Sequence, residues 1–130
     1  MHMRKSGTAW AGGLYLLLAS LVPAAAIAAP PEMAVREINH LLERVGESAC
    51  EFYRNGVWFK GNLGQVHLRD KYEWLARRDM IDTAADFIDK AASQSSMTGI
   101  AYKVRCEGQA EMTTRQWLTE ELQRYRAAVR

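Results

Sequence analysis

The stretch "CEFYRNGVWFKG", residues 50–61, restricts the folding options of this chain more than any other. Asn55-Gly56 lies at its centre, and both residue types accept the positive φ that a two-residue hairpin turn needs. That turn fixes a register on its flanks: Phe52 faces Phe59, Tyr53 faces Trp58 and Glu51 faces Lys60. Phe52 and Phe59 then share one side of a hairpin. A Tyr53–Trp58 pair and a Glu51–Lys60 ion pair share the other.

The remaining periodicity is mostly helical. "EMAVREINHLLERVG" places Val35, Ile38, Leu41, Leu42 and Val45 on one stripe, with Gly46 as a stop. From Asn62 to Arg78 a second helix is predicted, in which Leu63, Leu68, Trp74 and Leu75 bracket a packed sector that also holds His67 and Lys71. In "DTAADFIDKAAS", Thr83 and Asp86 form a capping box ahead of a third helix striped by Ala84, Phe87, Ile88, Ala91 and Ala92. "SSMTG" is a loop closed by Gly99, and "IAYKVRC" alternates as a half-buried strand. Thr113 or Thr114 caps a last helix whose Trp117, Leu118, Leu122, Tyr125 and Val129 cover the sheet. The order is helix, hairpin, helix, helix, strand, helix. It predicts an α+β domain: a small antiparallel sheet, hairpin plus C-terminal strand, packed with about four helices.

Residues 1–28 read as a cleaved export signal: Arg4 and Lys5, an apolar run from Ala9 to Val22, Pro23, and the small-residue tail "AAAIAAP" with Ala26-Ile27-Ala28 as the A-x-A pattern. Cleavage before Ala29 leaves residues 29–130 as one domain. An uncleaved anchor is the rival, because Ala9 to Ala29 approaches spanning length. The tail carries no cysteine for a lipid anchor. Removing Arg4 and Lys5 from the 17 Lys and Arg leaves as many bases as the 15 acids. A formally neutral mature chain with mixed charges argues against nucleic acid or anionic lipid as partner, so a membrane enters only through an uncleaved signal. Export carries Cys50 and Cys106 into an oxidising periplasm, where a disulfide between them is the expected state; on the chain-entropy model it contributes about 4 kcal/mol. Lacking C-x-x-C spacing, a catalytic thiol pair is the weaker alternative.

"FYRNG" at 52–56, "HLRDK" at 67–71, "DTAADFIDKAASQSSMTG" at 82–99 and "AYKV" at 101–104 resemble, in order and spacing, a family of short exported proteins of Gram-negative bacteria known as a domain of unknown function. The resemblance runs from Ile38 to Tyr125. It implies a periplasmic location and these domain boundaries, and brings neither a reaction nor catalytic residues.

Candidate chemistry is sparse. His67 and Lys71, one turn apart on the packed side, could form a general base through desolvation, with Ser95, Ser96 or Thr98 as nucleophile in a small hydrolase. No G-x-S-x-G elbow or S-x-x-K pair supports that reading. The structural alternative gives Lys71 a carboxylate such as Asp82 or Asp86, and His67 the backbone of the serine loop. Glu37-x-x-His40 is a single pair on an expected exposed helix face, too few ligands for a metal, and no cofactor motif is present. Gly61 and Gly64 mark the turn into the second helix. The preferred expectation is a non-enzymatic binding module of the cell envelope, acting through Tyr53, Arg54, Asn55, Trp58, His67, Lys71, Ser95 and Ser96 on an envelope protein or surface ligand. A structural assembly subunit is the third option.

Overall fold

The computed structural model describes Met3, Gly7, residues 11–21 and residues 31–130. Residues 11–21 form neither helix nor strand, and their leucines stand exposed. The expected cleavage point between Ala28 and Ala29, with Pro23 and the A-x-A tail, lies outside the described residues. Among the described residues no helix is long and apolar enough to cross a membrane.

From Pro31 the chain forms α1 (Pro31–Glu47), β1 (Glu51–Arg54), β2 (Val57–Lys60), α2 (Gly61–Ala76), α3 (Ala84–Lys90), β3 (Lys103–Arg105), β4 (Met112–Thr113) and α4 (Thr114–Ala128). The sheet is antiparallel with order β2-β1-β3-β4. This is the α+β architecture that the patterning predicts, with one added strand. β4 is only two residues long, too short for an alternating pattern to register.

The hairpin register is the predicted one, with Asn55 at φ 48° and Gly56 at φ 88°. β1 also pairs with β3, Glu51 opposite Arg105. Continuing that ladder by one residue sets Cys50 opposite Cys106, and the two are disulfide-bonded with Cα atoms 4.3 Å apart. Arg105 also displaces the expected Glu51–Lys60 ion pair: Glu51 lies between Lys60 and Arg105, and the Arg105 guanidinium meets its Oε1 at 3.1 Å. A planar fork matches a carboxylate better than an ammonium does.

α1 is the central helix, packed against α2, α3 and α4. Its buried stripe is Ala34, Glu37, Ile38, Leu41, Leu42 and Val45. Val35, expected on that stripe, is exposed, and Gly46 lies inside the helix rather than ending it. Phe52 and Val104 carry the sheet's inner face into the core, where the Phe52 ring meets Trp117 of α4 edge-on at 5.6 Å.

α2 departs furthest from expectation. Only Gly61, Leu68 and Leu75 are buried along it, while Leu63 and Trp74 are exposed. A Cβ at Gly61 would come within 2.3 Å of the Val45 carbonyl oxygen, so glycine lets the start of α2 press against the end of α1. Gly61 and Gly64 are therefore packing positions as well as turn markers. The Thr83 capping box forms as expected, Thr83 Oγ1 accepting from the Asp86 amide at 3.0 Å. α3 spans seven residues, and Ala91 and Ala92 complete its buried stripe beyond the end of the helix. The last strand is regular only from Lys103, and Ile100 is exposed. Thr113 caps α4, whose Val129 projects into solvent.

Candidate functional site

Alternation along β1 sends its residues to two different places. Tyr53 and Trp58 lie on the outer face with Glu51, Lys60, Lys103 and Arg105, none of which is buried. The two rings sit 5.3 Å apart, the Arg105 guanidinium lies 4.0 Å over Trp58, and the Lys103 ammonium lies 5.2 Å over Tyr53. The pair is thus a cation-capped surface feature. Arg54, predicted to rim it, belongs to the opposite face.

The hairpin tip is bolted to the serine loop. Asn55 Nδ2 donates to Ser95 Oγ at 3.0 Å, and Asn55 Oδ1 accepts from Thr98 Oγ1 at 2.7 Å. Ser95 Oγ also accepts from the Met97 and Thr98 amides, and Ser95 is 2% exposed. Its hydroxyl is a knot in the loop. Ser96 is exposed and stands outside this network. Turn chemistry alone does not account for Asn55.

Lys71 Nζ donates to the Gln94 carbonyl at 2.8 Å and to the Tyr102 hydroxyl at 3.4 Å. The expected carboxylate partner is committed elsewhere, Asp86 accepting from the Asp82 and Thr83 amides. His67 Nε2 lies 3.4 Å from the same Tyr102 hydroxyl, not on the loop backbone. Because an ammonium only donates, the Tyr102 proton is free to point at the imidazole. Among the described residues no hydrogen bond joins His67 to Ser95 or Ser96.

Arg54, His67 and Tyr102 open onto a cleft of about 300 Å³ between the inner face of the sheet and α2. Phe52, Phe59, Leu63, Val66 and Leu68 supply its apolar wall, and Thr114 reaches it from the start of α4. Leu63 and Val66, at 55% and 58% exposed, are apolar side chains left largely uncovered. Among the described residues two buried side-chain polar atoms have no hydrogen-bond partner, Arg54 Nε and Thr114 Oγ1, and both belong to residues lining this cleft. Buried polar atoms are ordinarily satisfied, so a pair of orphans in one cavity marks a place where partners are missing.

Two cations, Arg54 and Lys71, bear on the ionisable groups at the cleft. Burial, then Arg54 and Lys71, lower the pKa of His67 against an opposing pull from Asp70. Burial and Arg54 likewise lower that of Lys71. Burial raises the Tyr102 phenol, with Arg54 acting the other way. Among the described residues no ion pair engages Arg54 or Lys71.

Glu37 and His40 are not on an exposed face. Glu37 is buried against α4 and bonded to Arg126, while His40 bonds Glu121 at 3.0 Å and stacks on Tyr125. No cluster of three or more His, Cys, Asp or Glu among the described residues is placed to hold a metal ion. The sequence reading missed Tyr102 and Thr114 as members of the cleft. Tyr102 carried a usable signal, a hydroxyl on the buried side of an alternating strand. Thr114 carried none, since a threonine beside a helix cap reads as a cap.

No curated protein and no solved structure matches the chain. The profile described as "Family of unknown function (DUF5329)" matches residues 32–126, from the second residue of α1 into the last turn of α4, and so spans both walls of the cleft. The chain belongs to that family.

Proposed function

We propose that this protein is an exported, periplasmic binding module of the cell envelope, without enzymatic activity, that takes a small ligand into the cleft between the sheet and α2. The observation that carries the reading is the pairing of Arg54 Nε and Thr114 Oγ1, both buried and both unpartnered among the described residues, in one cleft whose wall is largely apolar. A volume of about 300 Å³ suits a small molecule rather than a protein segment. The leader-like residues 1–28 and the Cys50–Cys106 disulfide support export. A hydrolase would need a free serine hydroxyl beside His67, whereas Ser95 Oγ is taken by Asn55 and two amides.

The test is titration with the neutral, polarity-sensitive dye N-phenyl-1-naphthylamine. A saturable fluorescence rise at one dye per chain is expected, and it should vanish in Gly64→Leu. A Cβ at Gly64 enters at ordinary contact, 3.5 Å from Phe52, and the rest of the leucine occupies the cleft. A wild-type protein that gives no saturable signal sinks the reading.

A further inference from the structure

The ligand's chemical class follows from the sheet register. Tyr53 pairs with Lys103, and Lys103 with Thr113. Continuing the ladder by one residue sets Arg54 beside Tyr102 and Tyr102 beside Thr114, and the Thr114 amide donates to the Tyr102 carbonyl at 2.9 Å. Arg54 at the end of β1, Tyr102 just before β3 and Thr114 at the start of α4 therefore form one polar row at the edge of the sheet, on the same face as Phe52 and Val104. With strands about 4.8 Å apart, the backbones of Arg54 and Thr114 lie roughly 10 Å from each other, a gap that a long guanidinium side chain and one small head group fill.

The row offers donors. A guanidinium stays charged and never accepts, and the Thr114 hydroxyl can donate. The apolar wall of Phe59, Leu63 and Val66 runs from that row to the mouth, where the last two are uncovered. Among the described residues Asp70 is the one acid lining the cleft, and it is exposed. A bare inorganic anion would leave the apolar wall wet, and an uncharged lipid would leave the guanidinium without a counter-ion.

Resting on the binding reading above, we propose that the cleft takes a small amphipathic monocarboxylate, its carboxylate lying across Arg54 and Thr114 beside Tyr102 and its apolar body along Phe59, Leu63 and Val66. A carboxylate presents two oxygens in one plane, matching a guanidinium edge plus one hydroxyl. A cleft of about 300 Å³ suits a body of medium chain length.

The experiment is displacement of the bound dye by decanoate, decan-1-ol, decyltrimethylammonium and decyl phosphate at equal chain length. Decanoate is expected to displace at a concentration at least tenfold below decan-1-ol, with the ammonium weakest. Arg54→Gln and Thr114→Val should each shrink the preference of decanoate over decan-1-ol several-fold, both affinities being measured by titration calorimetry on the variant itself. Arg54→Lys, which keeps the charge without the fork, should retain part of it. Equal displacement by decanoate and decan-1-ol, or tighter binding of decyl phosphate, overturns the carboxylate assignment and leaves the cleft a binding site. Absence of dye binding in the wild-type protein instead removes the underlying reading. The Thr114→Val arm guards against misfolding of the Arg54 variants, because it buries no new polar group.

Discussion

Thr114→Val separates stability from binding at one atom. Thr114 is 1% exposed, and its Oγ1 has no hydrogen-bond partner among the described residues. Burying a hydroxyl without a partner costs about 1–3 kcal/mol by mutational measures. Valine has the same shape, with a methyl in place of the hydroxyl, so the substitution removes that cost and leaves packing intact. Helix propensity does not offset the gain, because valine and threonine rank about equally and Thr114 is the first residue of α4. The backbone bond from Thr114 to Tyr102 and the cap from Thr113 are untouched. The expected net effect is a stabilisation of about 1 kcal/mol, opposite in sign to most core substitutions. With an m-value of about 2 kcal/mol/M in urea, the unfolding midpoint rises by roughly 0.5 M. Urea titration followed by tryptophan fluorescence reads this directly, since buried Trp117 lies in the next turn of α4. The same variant is expected to bind decanoate more weakly. A midpoint that falls by an amount worth 1 kcal/mol or more refutes the reasoning, because it means that the hydroxyl is satisfied in the folded protein and is not held open for a ligand.

Replacing both Cys50 and Cys106 by serine releases a tie across a sequence separation of 56 and should cost about 4 kcal/mol on the chain-entropy model; an unchanged urea midpoint would contradict it. Asn55→Gly keeps the positive φ of the turn but removes the bonds to Ser95 and Thr98, so a loss of about 1–2 kcal/mol is expected, with faster hydrogen exchange at Met97, Thr98 and Gly99. Ser96→Ala, outside that network, should stay within about 0.5 kcal/mol of wild type, and a larger loss would give Ser96 a role that its exposure denies. Burial pushes the Glu121 carboxyl up, but Arg124, His40 and Arg44 together outweigh it and hold the pKa below the ordinary 4.5. A depressed folded pKa means that this stabilisation is complete above the unfolded value and is lost as pH falls through the folded one. Acid titration of stability should therefore show a steeper fall below pH 4.5 in wild type than in Glu121→Gln; identical slopes would remove Glu121 from the account.

The hairpin was legible to the residue because Asn55-Gly56 leaves one turn type open and the flanks agree on one register. The disulfide was legible from compartment chemistry, and the sheet ladder turns out to set the two sulfurs opposite each other. The face of α2 was not legible. Leu63 and Trp74 look like core by periodicity, yet Gly61 lets that helix lean on α1, which leaves Leu63 over an open cleft. Helical periodicity reports which residues share a face, not how much of the face a neighbour covers. The site was legible as a set of residue types and not as an arrangement. Tyr53 and Arg54 are adjacent, and the two-residue period of a strand sends them to opposite surfaces. Tyr102, which gathers His67 and Lys71, is brought to them by the pairing of β1 with β3, a contact that no local pattern encodes.

The electrostatics of the cleft give a proton linkage that tests the carboxylate proposal without any substitution. His67 is faced by Arg54 from β1, by Lys71 and Asp70 from its own helix and by the neutral Tyr102 hydroxyl from the segment before β3. In the free protein, burial and the two cations hold its pKa below 6.5, with Asp70 opposing, so the ring is neutral at pH 7. A carboxylate seated on Arg54 adds a negative charge within the same low-dielectric space and raises the His67 pKa. Protons are then taken up on binding, and affinity rises as pH falls through the interval between the free and the bound pKa. Titration calorimetry of decanoate in two buffers of different ionisation enthalpy measures that uptake. Measured from pH 7 downwards, the expected result is proton uptake that grows as pH falls and disappears in His67→Gln. Decan-1-ol, which carries no charge, should take up none. Absence of uptake on decanoate binding, or uptake that persists in His67→Gln, would place the head group away from His67 and overturn the seating on Arg54.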